Sequence, residues 1–418
     1  MAANHRRLME ILGTFTETQE TPYTNWPDRY PRHRVMGYFC TYVPEEIIHA
    51  AGFVPVRIRS SSEAPSRAEA HLQSYTCALC RSALDQALRG DLSFLRGVVF
   101  PHTCDTIQAL TDIWRMSFRD LYVETIVQPV NLSSPSTRPY LIAELQRFRH
   151  SLEELIGQEV SNQAIRASIE LYNEKRRLLA RLYDLRDRLT APELFAATSA
   201  GFIMPQQEYN QLLGELVELL AEEGVSIPPS LPGRGWGRVD PHKPRFKGPR
   251  LILVGAVLDD PVVLNIIEQL GARIVGDDLC TGSRYFAQPV EADGDPIAAL
   301  ADRYLNRLPC PAKYHPDHEQ GEHLLKLVNE AKADGVVFVL QKFCDPHAFD
   351  YAIVKKKLDA AAVPHLRLEI EHAPAADQWR TRLQAFLEVI CHCERSEAIS
   401  EIQLLSMAEI ASSLRSSQ

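Results

Sequence analysis

Short, unbroken apolar runs alternate with helical stretches along most of this chain, and that alternation limits it to few folds. Phe53–Ile58 (FVPVRI), Gly97–Pro101 (GVVFP) and Tyr122–Gln128 (YVETIVQ) read as strands, with helices expected at Cys80–Arg89 and Thr106–Arg119. Continuously apolar strands need cover on both faces, which parallel βαβ units supply. A second series repeats the pattern. Strands are expected at Leu251–Gly255, Ala272–Val275, Gly335–Leu340 and His365–Ile370. Helices are expected at Pro261–Leu270, Ile297–Leu305, Glu322–Ala333 and near Asp377–Ile390.

Between the two series the period changes. Residues 139–226 read as helical, with Ser161 as an N-cap before an amphipathic run carrying Ile165, Ile169, Leu178 and Leu182. Residues 227–248 are dense in Pro and Gly and read as a linker. The organisation expected is an N-terminal helix and approach (1–36), with the helix at His5–Phe15, and a first α/β domain (37–138). The helical segment (139–226), the linker and a second α/β domain (249–390) follow. A Ser- and Ala-rich tail (391–418) resembles translated repeat DNA appended to a gene, and its Cys391 and Cys393 are read as without function.

With 418 residues the chain is long enough for two or three domains with cores of their own. Its 54 acidic residues against 45 basic ones give a formal charge of -9 and no basic block, which argues against nucleic acid as a partner. No apolar run is long enough to span a bilayer and the N-terminus lacks a signal-peptide core, so a cytoplasmic protein without membrane contact is expected.

In that compartment the nine cysteines are not expected to form disulfides. Cys104 and Cys344 follow expected strands, and Cys280 lies just beyond another; open α/β sheets build their sites at such strand ends. Cys77 and Cys80 form a C-x-x-C at a helix start, Cys40 precedes TYVPEEIIHAAG, and Cys310 lies between two prolines. Four readings compete: a thioredoxin-like redox pair, a zinc site, buried core thiols, and thiolates meeting around an iron–sulfur cluster. A second C-x-x-C, which zinc would favour, is absent. The redox pair leaves most of the other cysteines without a role.

The motifs GYFCTYVPEEIIHAAG, GVVFPHTCDTIQAL, GDDLCTGSRYF and DGVVFVLQKFCDPHAFDY occur in this order. Together they resemble the 2-hydroxyacyl-CoA dehydratase and benzoyl-CoA reductase family, over about Gly37 to Ile390. The resemblance implies an α/β protein with two flavodoxin-like parallel-sheet domains joined by the helical segment. It also implies a 4Fe–4S cluster on three cysteines and a lyase or reductase acting on an acyl-CoA thioester. A separate ATP-dependent activator would deliver the electron, and a homologous second subunit or a homodimer would complete the enzyme. Carried over by motif, Cys77, Cys104 and Cys344 are the ligands, with Cys80 the alternative within the C-x-x-C. Cys40, Cys280 and Cys310 resemble positions of a sister branch. That branch holds a double-cubane 8Fe–9S cluster on six cysteines and reduces small molecules. A non-catalytic electron-transfer paralogue is the third alternative.

Dehydration needs proton transfer, for which Glu45, Glu46, His49 and His102 are candidates. Glu45 and Glu46 equally suit a helix N-terminus after Pro44. The turn at Ser283 and Arg284 suits an anion such as a CoA phosphate, or a structural ion pair. No G-x-x-x-x-G-K-[ST] and no strand-borne G-x-G-x-x-G occurs, so ATP hydrolysis through a P-loop is not expected of this chain.

Overall fold

A computed structural model describes residues 2–222, 248–291, 293–316, 321–371 and 375–391. It contains two four-stranded sheets, all parallel. The first holds β1 (Val35–Tyr38), β2 (Val54–Arg57), β3 (Leu95–Pro101) and β4 (Tyr122–Ile126), in the order β2-β1-β3-β4. The second holds β5 (Arg250–Gly255), β6 (Arg273–Leu279), β7 (Gly335–Gln341) and β8 (His365–Ile370), in the order β6-β5-β7-β8. The mixed α/β class and the two parallel sheets are as expected from the apolar runs.

Register follows from burial. Val98 of β3 lies between Gly37 and Val123, and Val337 of β7 between Leu253 and Leu366. All seven residues of β7 are buried. At the end of β5 the chain requires glycine, because a Cβ on Gly255 would stand 2.2 Å from the Val339 carbonyl oxygen. In both sheets the winding reverses between the two central strands, which opens a crevice beyond their carboxyl ends.

The helical segment comprises Thr137–Ile156, Asn162–Asp184, Ala191–Ala200 and Gln206–Ala221. Ser161 caps the second of these, its Oγ accepting the Ala164 N–H at 3.1 Å. Thr190 and Glu193 close a capping box on the third. One apolar core runs from the first sheet through these helices to Tyr285, Ile297, Leu300 and Tyr304 of the second unit. The N-terminal helix, Ala2–Glu20, is longer than expected at both ends and buries Leu8, Ile11, Leu12 and Phe15 in that core. At about 1.5–3 kcal/mol for each fully buried side chain, this stripe anchors it.

Several elements differ from the sequence reading. Strand β1 has no counterpart among the expected strands, and β6 runs on to Leu279 rather than stopping at Val275. Asp277 and Asp278 are both buried at the end of that strand, where side chains and backbone bind their carboxylates. A helix at Asp345–Ala360 is likewise additional to those expected. Most of the expected linker, 227–247, and the tail beyond residue 391 lie outside the described residues. No described helix is long and apolar enough to cross a membrane.

Candidate functional site

Three cysteines occupy the same local position, the residue before a helix. Cys77 precedes Ala78–Arg89, Cys104 precedes Asp105–Ser117 just past β3, and Cys344 precedes Asp345–Ala360 just past β7. Cys80 lies in the first turn after Cys77. The structure brings all four thiols into one group between the two sheets. Each helix start carries roughly half a positive charge from its unpaired N–H groups, so three of them favour negative charge on sulfur. None of the three thiols closes a full capping hydrogen bond. Backbone N–H groups nevertheless act on them: Leu79 and Cys80 on Cys77, Ile107 and Thr106 on Cys104, and His347 on Cys344.

The group shares its protons unequally. Hydrogen bonds from Cys344 and Cys80 hold the Cys77 thiol well below its ordinary range. Both donors are pushed up in return, by that same bond and by burial. Burial pushes Cys104 up to about 11. His347, nearly buried beside Cys344, is held to about 3 by burial and by Arg284, so it stays neutral at physiological pH.

The loops are shaped to make this meeting. Phe343 has φ +65°, a left-handed conformation that costs a non-glycine residue about 1–2 kcal/mol, and it directly precedes Cys344. The Lys342 carbonyl accepts the Ala78 N–H at 3.3 Å, tying the helix start of one unit to the loop of the other. Glu371 adds a second tie, accepting from Arg81 at 2.9 Å and Lys342 at 2.8 Å. A cleft of about 900 Å³ between the units reaches Ala78, Gln341 and Glu371.

Cys40, Cys280 and Cys310 form a second group. Cys280 donates to Cys310, holding the latter at about 6 despite burial, and Cys40 feels Cys310 after burial has raised it. Cys104 is also influenced by Cys40, so the two groups are neighbours. A second cavity, about 520 Å³, is bordered by Cys310, Arg284, Lys313 and Asp350.

Similarity to known proteins decides the family. The model of the family described as 2-hydroxyglutaryl-CoA dehydratase, D-component, matches residues 40–390. The chain belongs to that family. It is 30% identical to one of the subunits of benzoyl-CoA reductase from Thauera aromatica over 357 residues, covering 83% of this chain and 88% of that protein. It is 27% identical to the beta subunit of (R)-phenyllactyl-CoA dehydratase from Clostridium sporogenes, over 85% of this chain and 92% of that protein. With the beta subunit of (R)-2-hydroxyglutaryl-CoA dehydratase from Acidaminococcus fermentans it shares 27% identity, over 85% and 92%. These relatives are subunits of dehydratase and reductase enzymes, as the motif resemblance implies.

Within this dehydratase-family chain the other candidate residues sit as follows. Glu45 is 3% exposed and accepts from Tyr38 at 2.7 Å, from Tyr285 and from Lys175 at 3.4 Å. Glu46, equally buried, pairs with Arg176; burial raises its carboxyl, but Arg176 and Arg303 outweigh this and hold it below the usual range. His49 meets Ser168 and Gln207. These three are bound into the helical segment. Ser283 gives its N–H and hydroxyl to Asp277, and Arg284 makes a two-pronged pair with Asp278. His102 is partly exposed at the end of β3, its N–H bonded to the Ile126 carbonyl. The buried pair of Lys175 and Arg176, and the strained turn at Phe343, carry no sequence motif that would flag them. Pro346 two residues after Cys344 is the overlooked signal for the helix that begins there.

Among the described residues no group of three or more His, Cys, Asp and Glu is disposed to hold a metal ion. In donor type, thiols at several helix starts match what an iron–sulfur cluster takes as ligands.

Proposed function

We propose that this chain is the iron–sulfur subunit of a 2-hydroxyacyl-CoA dehydratase or a benzoyl-CoA reductase-like enzyme. The observation that carries this reading is the convergence of Cys77, Cys80 and Cys104 from one α/β unit with Cys344 from the other, at three helix starts. Cys77, Cys104 and Cys344 would hold a 4Fe–4S cluster, with Cys80 in reserve or as a hydrogen-bond donor to Cys77. When bound, such a cluster supplies low-potential one-electron reduction of an acyl-CoA thioester.

The chain's own residues do the rest. Helix N–H groups act on the sulfurs and favour their anionic state. His102, partly exposed and two residues before Cys104, is the group placed to move a proton. Glu45 and Glu46 are committed to buried pairs, which supports a structural role. The cleft beside Ala78 has the volume of a substrate site. Ser283 and Arg284 spend most of their donors on Asp277 and Asp278, which weighs against phosphate binding there. The electron would come from a separate ATP-dependent activator, and the enzyme would be completed by a homologous subunit or a second copy. Anaerobic titration with a panel of acyl-CoA thioesters tests this: a cluster-linked spectral change is expected with at least one. No change with any member would overturn it and leave the electron-transfer paralogue and the small-molecule reductase.

A second reading has an observation of its own. The meeting of Cys40, Cys280 and Cys310 beside the first group supports a double-cubane 8Fe–9S cluster on six cysteines. Iron near eight per chain, rather than about four, distinguishes it.

A further inference from the structure

Around Cys40, Cys280 and Cys310 the charges do not balance. Arg307 is 3% exposed and Lys313 5% exposed, yet neither meets a carboxylate among the described residues. Arg307 donates to the Thr41 carbonyl at 3.0 Å and to Thr41 Oγ1 at 3.3 Å, while its Nε has no acceptor. Lys313 gives a single N–H to the Gln128 carbonyl at 3.2 Å. Both cations lie over the ring of Tyr42, at 4.5 and 5.4 Å from its centre. Carbonyls and a ring face are neutral partners. Such partners leave much of the desolvation of a buried cation uncompensated, and cation–π contact returns only part of it.

The groups that feel these charges are thiols: Arg307 and Lys313 act on Cys40, and Lys313 on Cys310. Thr41 adjoins Cys40, the Lys313 backbone N–H bonds the Cys310 carbonyl at 2.8 Å, and the Cys310 backbone N–H bonds Tyr42 Oη at 3.3 Å. Arg284 contributes a further buried donor, Nη1, that has no partner, though Asp278 cancels its charge. At the four-thiol group the nearby cations, Arg81 and Lys342, are paired with the Glu371 carboxylate, a partner that Arg307 and Lys313 lack among the described residues.

We propose that Arg307 and Lys313 are counter-cations for an anionic iron–sulfur group held by Cys40, Cys280 and Cys310. They raise its reduction potential. This rests on the second reading above, in which those three thiols hold part of an 8Fe–9S cluster. Adding one electron from an external low-potential reductant makes the group one unit more negative, with no bond made or broken. Two buried positive charges nearby stabilise that reduced state over the oxidised one. Arg307 and Lys313 act as positioning residues, not ligands.

The test uses the full chain loaded anaerobically with iron and sulfide, titrated with titanium(III) citrate and followed by electron paramagnetic resonance. The signal lost in Cys310→Ser identifies the site. In Arg307→Gln and in Lys313→Gln, iron content should hold while that signal's reduction equilibrium falls at least tenfold, about 59 mV for one electron. Arg307→Lys should restore most of the shift. If Arg307→Gln does not fold, Lys313→Gln decides alone. A full iron complement with the Cys310-dependent potential unmoved in both variants overturns this proposal only. Wild-type iron of about four per chain, unchanged in Cys310→Ser, overturns the 8Fe–9S reading and this proposal with it.

Discussion

Removing Asp259 should loosen the two α/β units from each other. Arg57, the last residue of β2, reaches across to Asp259, just past β5, and the two side chains are 4% and 3% exposed. Asp259 also accepts the Ser60 N–H and hydroxyl, both at 2.8 Å. Arg57 already has two buried nitrogens, Nε and Nη1, without partners. In Asp259→Ala the guanidinium would keep its burial and lose its only carboxylate, which costs about 3–5 kcal/mol for a broken buried pair. Against a typical stability of about 5–15 kcal/mol, that is a large fraction. Urea unfolding of the metal-free chain at pH 7, followed by circular dichroism, should show the first transition shifted by that amount. The double variant Arg57→Met/Asp259→Leu should recover most of it, because no uncompensated charge remains. pH supplies a further arm. Burial raises the Asp259 carboxyl, but Arg57 and Ser60 outweigh it and hold it below its ordinary 3.8. Its contribution is therefore present above the unfolded value and lost as pH falls through the lower, folded one. A loss under about 1 kcal/mol in the single variant, or a double variant as weak as the single, would refute the reasoning.

Other outcomes follow from the same physics. Burial lowers Lys175 to about 8 from 10.5; the unfolded chain binds more protons between those values, so wild-type stability should rise by about 3 kcal/mol across that window relative to Lys175→Met, measured by urea midpoints at each pH. Thr190→Ala removes one half of a capping box and should cost about 1 kcal/mol in the same assay. Phe343→Gly relieves a left-handed residue and should leave stability unchanged or raised by up to about 1 kcal/mol, while the freer loop holds iron less tightly in a chelator competition.

Much of the fold was legible because parallel strands buried on both faces leave unmistakable apolar runs, as in GVVFV at β7. Strand β1 was hidden by its brevity and by Gly37, whose place is set by close packing against Leu95 and Ile58 rather than by a local preference. The strand-end positions of Cys104 and Cys344 were readable; that both face Cys77 depends on how two units dock, through Arg57–Asp259 and Arg81–Glu371, which no local pattern encodes. Glu45 and Glu46 drew attention as acids after a proline, but their partners Lys175 and Arg176 lie some 130 positions away. Chemistry set by distant contacts is invisible to spacing.

The central claim is that these thiols hold an iron–sulfur cluster. Its most direct test is iron and acid-labile sulfide per chain after anaerobic isolation, in the wild type and in Cys77→Ala, Cys104→Ala and Cys344→Ala. About four of each is expected for one cubane, or near eight with the second group filled, and each substitution should remove at least one cluster's iron. Less than about one iron per chain, or iron unchanged when Cys104 and Cys344 are replaced, would contradict it.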